Sequence, residues 1–173
     1  IFLKSSRFPE QMIAELLRFY LLSTHYRSPI DFSDNALKMA KSGLDNFYTL
    51  FQKLHEAEQS ATNNTDEAHQ KKLDTLATFQ KAFEVAMDDD FNTAAAMASL
   101  QNLRSESNRR LLVGDVSGAR VGCELLCTLG TLLGIFQTPH QDWRFQAWDL
   151  ALEGPSSLNE VAISTLIAER EAA

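Results

Sequence analysis

The sequence predicts an all-α protein, an antiparallel bundle of about five to six helices. Among its 173 residues are 24 Leu and 20 Ala but only 5 Val and 6 Ile. Leu and Ala are the better helix formers, whereas β-branched residues suit strands. Only 7 Gly and 4 Pro are present, which indicates few turns and long helices. Apolar residues also recur at alternating spacings of three and four, the pattern of one helix face.

A connector separates the first two predicted helices. The first runs from Pro9 to Ser23, because proline suits the first helical position. A proline inside residues 25–32 keeps the residue before it out of helical geometry, so this segment is the connector. Ser33 or Asp34 then caps the second helix, which extends to about Ala57. Its apolar stripe consists of Leu37, Ala40, Leu44, Phe47, Phe51 and Leu54.

Three more long helices follow a polar, turn-rich segment at residues 58–66, which we expect to be an exposed loop. Their expected bounds are Glu67 to Met87, Thr93 to Leu112 and Val116 to Leu133. Gly134 ends or bends the last of the three.

The helical pattern weakens beyond the fifth helix, which suggests three regions. Residues 1–137 form the helical bundle, residues 138–158 an irregular connector containing aromatic residues, and residues 159–173 the start of another helix. Ser157 and Glu160 fit a capping box before that helix. The chain begins with Ile1 and stops inside this helix, so we expect a piece of a longer protein.

The charge of the chain limits the kinds of partner that it can bind. It carries 16 basic and 23 acidic residues, a net charge of −7. This excludes a protein coated in positive charge but not a local basic patch. Two cysteines exclude a disulfide-rich scaffold. We find no signal peptide and expect no apolar run to approach the roughly 18 residues that cross a bilayer.

The most acidic spot is the triplet Asp88, Asp89 and Asp90, which with Asn92 imitates the start of a calcium-binding loop. The glycine and the glutamate that such a loop needs at its sixth and twelfth positions are missing. We therefore expect a structural role, with Asn92 or Asp90 capping the fourth helix and the acids near its positive end. Phe91 can act as a hydrophobic staple there.

Cys123 and Cys127 lie four residues apart on one helix face, where two thiolates could provide half of a zinc site. The sequence has no second cysteine pair, so we interpret both as small buried hydrophobes. It also contains no phosphate-binding loop and no dinucleotide fingerprint.

Arginines are the best candidates for contacts with nucleic acid, because their guanidinium groups bind phosphate with two parallel hydrogen bonds. Arg104, Arg109 and Arg110 lie toward the end of the fourth helix. Arg18, on an apolar helix, is instead expected to pair with a buried acid, for which Glu15 is a candidate.

The connector holds a dense set of hydrogen-bond donors in His25, Tyr26 and Arg27. These side chains could either lock the connector to a neighbouring domain or touch a nucleic-acid backbone. The residues alone leave both alternatives open.

Three segments, in this order, resemble the helical-bundle region of cysteinyl-tRNA synthetases, of the anticodon-binding or DALR type. They are residues 15–33 (ELLRFYLLSTHYRSPIDFS), 86–93 (AMDDDFNT) and 166–172 (LIAEREA). The sequence departs from the family at Ala94, where proline is usual, and it lacks the family's ATP signatures and zinc ligands. The resemblance implies a catalytic domain before Ile1 and an anticodon-reading domain after Ala173.

The resemblance also implies a function. The parent enzyme, a cytoplasmic cysteine–tRNA ligase, joins cysteine to tRNA(Cys) with ATP and holds zinc. This part would brace the tRNA and link domains without catalysis and without a cofactor, and we expect a monomer that contacts no membrane. The alternative is a free-standing helical module that binds protein. The candidate tRNA or interdomain contacts are His25, Tyr26, Arg27, Arg104, Arg109 and Arg110, and the structural motif comprises Arg18, Asp88, Asp89, Asp90 and Asn92.

Overall fold

The computed structural model describes residues 9–60 and 69–145, with the backbone alone for residues 69–75. The described residues form five helices and no strand, so the predicted all-α fold is confirmed. The predicted helix at 159–173 and most of the predicted connector at 138–158 lie outside them. The helices are α1 (Glu10–Leu22), α2 (Asp34–Ser60), α3 (His69–Asp88), α4 (Thr93–Leu112) and α5 (Val116–Leu133).

Short side chains determine where several helices begin, as the sequence predicted. The Asn92 side chain accepts a hydrogen bond from the Ala95 backbone N–H at 3.1 Å and caps α4. The Ser33 hydroxyl does the same for α2 through Ala36 at 3.3 Å. Gly134 adopts a left-handed φ of 68° and ends α5.

Two expectations about helix ends were wrong. Helix α2 continues to Ser60, so residues 58–60 of the expected loop are helical. Phe91 is 67% exposed and does not act as a staple. Asp90 and Phe91 both have positive φ, 54° and 52°, and this backbone leaves the ring in solvent rather than on the first turns of α4.

Close helix packing depends on glycines that face neighbouring helices. The short turn at residues 113–115 makes α4 and α5 antiparallel neighbours. A Cβ at Gly122 of α5 would lie 2.1 Å from the Ser107 hydroxyl oxygen of α4. A Cβ at Gly43 of α2 would lie 2.9 Å from the Phe19 ring of α1, so these two helices also approach closely at a glycine.

Helix α5 has the length and composition of a membrane-crossing helix, since its 18 residues have a mean hydropathy of 1.3. The expectation that no segment approaches this length was therefore too strict. Half of α5 is buried inside the bundle, and the core helix of a soluble protein can have the same length and hydropathy.

After α5 the chain turns back across α1 and α2 in an irregular stretch, residues 134–145, which we name the return segment. Trp143 lies buried at its end and stacks on Tyr48 of α2, with ring centroids 3.8 Å apart and planes 6° from parallel. The Trp143 ring N–H donates to Asp45 Oδ1 at 2.7 Å. Aromatic stacking and this hydrogen bond together hold the return segment on α2.

We predict that Gly122→Ala destabilises the protein by about 1–2 kcal/mol, because the added methyl group overpacks the α4–α5 contact by more than the gain in helix propensity. The measurement is the free energy of unfolding in urea. Gly122→Ala combined with Ser107→Ala should recover most of the loss, because it removes the oxygen that the new Cβ meets. A double variant no more stable than Gly122→Ala would contradict the packing explanation.

Candidate functional site

The structure brings two of the sequence motifs into direct contact. Tyr26 of the connector donates its hydroxyl hydrogen to Asp90 Oδ1 at 2.9 Å. Arg27 Nη2 lies 3.0 Å from Asp90 Oδ2. One aspartate of the acidic triplet therefore joins the connector to the turn between α3 and α4.

Three connector side chains also stack on one another. The rings of His25 and Tyr26 are stacked, with centroids 4.8 Å apart, and the Arg27 guanidinium lies 5.3 Å from the centre of the Tyr26 ring. The hydrogen bond to Asp90, and then burial, raise the pKa of the Tyr26 phenol, so it is a neutral donor at physiological pH. Arg27 remains largely exposed although it is paired.

The three candidate arginines of α4 differ in how accessible they are. Arg109 is exposed and forms two hydrogen bonds of 2.8 Å to the two carboxylate oxygens of Glu106. Arg110 is buried and pairs with both Glu106, at 2.9 Å, and Asp115, at 3.3 Å. Arg104 is half-buried, donates to a neighbouring glutamine and lies 5.6 Å from the centre of the Phe47 ring.

Burial and charge also change how these groups titrate. Burial lowers the pKa of Arg104, although a guanidinium keeps its proton at physiological pH. The hydrogen bonds from Arg109, followed by those from Arg110, lower the pKa of Glu106 to about 2. Glu106 is therefore a carboxylate shared by two arginines, one exposed and one buried.

The expected pairing of Arg18 with Glu15 is wrong. Arg18 is exposed, and its guanidinium donates to the Gly134 carbonyl oxygen at 3.2 Å. Glu15 is fully buried and accepts hydrogen bonds from three other residues. Tyr48 O–H donates at 2.7 Å, Phe136 N–H at 2.7 Å, and Thr138 donates through its backbone N–H at 3.2 Å and its hydroxyl at 2.9 Å.

This polar face of α1, which sequence reasoning missed, holds the return segment. Gln11 donates to the Gln137 carbonyl oxygen at 3.0 Å. Together with Glu15 and Arg18 it forms an i, i+4, i+7 row of polar residues on an otherwise apolar helix. That spacing indicates a polar contact along one face of α1. The sequence alone could not identify the partners of this face in the return segment, which lie more than 100 residues away.

A second polar anchor on α2 was also missed. Lys41 is 2% exposed and pairs with Asp45, which also accepts the Trp143 hydrogen bond. The Lys41 ammonium lies 5.1 Å from the centre of the Trp143 ring. Burial lowers the pKa of Lys41, while Asp45 acts in the opposite direction. A Lys–Asp pair at i, i+4 beside the apolar stripe was the available signal.

The two cysteines lie in environments that disfavour their thiolate forms. Cys123 is buried as expected, whereas Cys127 is exposed, which corrects the interpretation of both as buried. Burial raises the pKa of the Cys123 thiol, and partial shielding of the Cys127 sulfur from water, together with the negative charge of Glu124, raises the pKa of the Cys127 thiol. Both shifts disfavour the thiolate forms that bind metal. Within the part of the chain that the structure describes, no group of three or more His, Cys, Asp or Glu side chains is placed to hold a metal ion.

Comparison with known proteins agrees with the resemblance seen in the sequence. Residues 82–137 match the family model described as the DALR domain. The chain is 37% identical over 171 residues to the cysteine–tRNA ligase of Geobacter metallireducens. This match covers 95% of this chain and 35% of that protein. The chain corresponds to the DALR region of cysteinyl-tRNA synthetases.

Other cysteinyl-tRNA synthetases match over shorter stretches. Identity is 44% over 103 residues with the cysteine–tRNA ligase of Bacillus cytotoxicus, 60% of this chain and 22% of that protein. It is 43% over 128 residues with that of Bacillus anthracis, 73% of this chain and 27% of that protein. The chain thus spans about a third or less of the curated relatives that it matches.

We predict that Glu15→Gln destabilises the protein by about 2–3 kcal/mol, because an amide NH2 group would face buried donors and leave them unsatisfied. Urea unfolding measures the loss. Arg18→Gln, which removes one exposed hydrogen bond from the same helix face, is the control and should cost under about 1 kcal/mol. Equal losses in the two variants would contradict a special role for the buried carboxylate.

We also predict a pH-dependent contribution from Glu106. Its folded-state pKa, about 2, lies below the ordinary 4.5, so the stabilisation is complete above about 4.5 and disappears as the pH falls toward 2. The stability difference between the unaltered protein and Glu106→Gln should shrink across that window in urea titrations. Replacing Arg109 by Ala should bring the folded-state pKa of Glu106 closer to 4.5 and so narrow the pH range over which this difference changes. A stability difference between the unaltered protein and Glu106→Gln that does not depend on pH would refute the pairing of Glu106 with the arginines.

Proposed function

We propose that this chain is the tRNA-bracing helical region of a cysteinyl-tRNA synthetase, which positions tRNA(Cys) and links domains of the enzyme without performing catalysis. The observation that carries the proposal is the match to a cysteine–tRNA ligase over 95% of the chain. The helical bundle supplies a rigid support, and a brace needs contacts with the RNA backbone and shape rather than a reactive group.

The second half of α4 carries the local excess of basic residues on which the proposal relies in an acidic chain. Residues 101–112 contain three arginines and one acidic residue, Glu106. Arg109 is 63% exposed there. A phosphate could take Arg109 away from Glu106 without leaving that carboxylate unpaired, because Arg110 would still bind it. This makes Arg109 the best placed of the arginines in this half of α4 for a phosphate contact.

We further propose that ATP and zinc are bound by other parts of the parent enzyme and that this chain needs no cofactor. The raised pKa of both thiols supports this, because it disfavours the thiolate forms that bind metal. ATP–pyrophosphate exchange dependent on cysteine, measured with the purified chain, tests this. Exchange above background would disprove catalytic silence.

We predict that Arg109→Ala weakens binding of tRNA(Cys) and of an unrelated tRNA by similar factors, because a phosphate contact carries no sequence information. The slope of log K against log salt should become shallower by about 1. Fluorescence anisotropy with labelled tRNA over a salt series measures both quantities.

Lys81→Ala is the matched control, because Lys81 is also an exposed cation paired with a glutamate three positions away. It should leave the salt slope unchanged. The same slope change in both variants would mean that only overall charge matters. A chain with no measurable affinity for either tRNA would instead favour the alternative of a free-standing protein-interaction module.

A further inference from the structure

Exposed apolar side chains lie on the connector and on the turn between α3 and α4, two segments that are in contact. We name this the connector–turn surface and define it by Tyr26, Ile30, Phe32 and Phe91. Tyr26 is 58% and Phe91 67% exposed. The hydrogen bond from Tyr26 to Asp90, the residue before Phe91, holds the two segments together. Large exposed apolar side chains on two segments that are joined in this way are typical of a surface that another protein covers.

The backbone keeps Phe91 on this surface at an energetic cost. Asp90 and Phe91 are consecutive non-glycine residues with left-handed φ, a conformation that costs of order 1 kcal/mol or more for each. The Asn92 N–H donates to the Ala86 carbonyl oxygen at 3.0 Å, which fixes the turn. Two glycines would form such a turn with less strain but would present no aromatic ring.

The charge around the connector–turn surface opposes RNA. Arg27 and Lys38 are the cations of residues 25–38 and 85–91, and Arg27 is already paired with Asp90. Phosphates would be repelled by this surface, whereas lysines or arginines around an apolar centre would be attracted. The exposed carboxylates of the same two segments are Asp31, Asp34, Asp88, Asp89 and Asp90.

We propose that the connector–turn surface docks a protein domain whose apolar centre is rimmed by lysine or arginine, and that this domain belongs to the same polypeptide in the full-length enzyme. The matched relatives are about three times as long as the region they share with this chain or longer, so such enzymes contain further domains. Of the two alternatives for His25, Tyr26 and Arg27, this selects the interdomain contact and leaves RNA contact to α4. The choice of partner rests on the proposed function.

Site-specific photocrosslinking tests the proposal in the protein expressed from its own gene in its own cells. Phe91 is replaced by p-benzoylphenylalanine, the cells are irradiated, and the crosslinked peptides are identified by mass spectrometry. We expect a crosslink to a peptide of the same polypeptide, outside residues 9–145, in which Lys or Arg flanks apolar residues. The same photoreactive residue at Leu112, exposed at the α4–α5 turn, is the control and should not give this peptide.

Every other result overturns the proposal. A crosslink to RNA would assign the surface to tRNA, and a crosslink to a separate protein would refute the partner within the chain. A crosslinked peptide without basic residues would refute the charge argument. No crosslink at all would mean that the surface is uncovered.

A charge variant separates this proposal from the tRNA proposal. Asp88→Asn with Asp89→Asn removes two exposed charges at the end of α3, where negative charge is unfavourable to the helix, so the protein should still fold. Crosslinking at position 91 should fall roughly fivefold because rim charges guide association, while tRNA affinity and its salt slope stay unchanged. Unaltered crosslinking, or a steeper salt slope for tRNA, would overturn the protein-facing assignment. If Arg109 proved not to contact tRNA, the assignment of the connector–turn surface to a protein domain would be unaffected.

Discussion

The buried carboxylate of Glu15 is the interaction on which the arrangement of the helices and the return segment depends. A buried carboxylate is costly unless hydrogen bonds replace its water. Glu15 meets that requirement with donors from Tyr48, Phe136 and Thr138, and therefore joins α1, α2 and the return segment at one point. Its position also sets where the return segment crosses α2, which brings Trp143 onto Tyr48.

This arrangement couples the first helix to the segment that follows the last one. The first described helix and the last described segment are held together, so displacement of either one must disrupt buried hydrogen bonds. The accessible basic group at Arg109 and the acidic, apolar connector–turn surface lie on different elements. The proposed brace between an RNA and a protein domain would need such a separation, because the charges that attract one partner repel the other.

Local chemistry explains why much of the fold was predictable. The bounds of α4 and α5 agree with the predicted bounds because Asn92 and Gly134 act on neighbouring backbone groups within a few residues. The α2 stripe, by contrast, correctly identified its buried face but not its end at Ser60, where no strong stop signal is present. The sequence predicted which residue types could contact tRNA but not how exposed each side chain is. It therefore could not distinguish the exposed Arg109 from the buried Arg110.

The sequence by itself determined the helices, their apolar faces, their caps and the family resemblance, because each of these depends on residues close together in the chain. Only the tertiary structure decided which polar groups meet. Glu15 bonds to Thr138 rather than pairing with Arg18, and Asp90 holds Tyr26 and Arg27 across 63 and 62 intervening positions. The physical reason is that burial removes water from polar groups and forces them to find partners, and those partners are supplied by packing rather than by proximity in sequence.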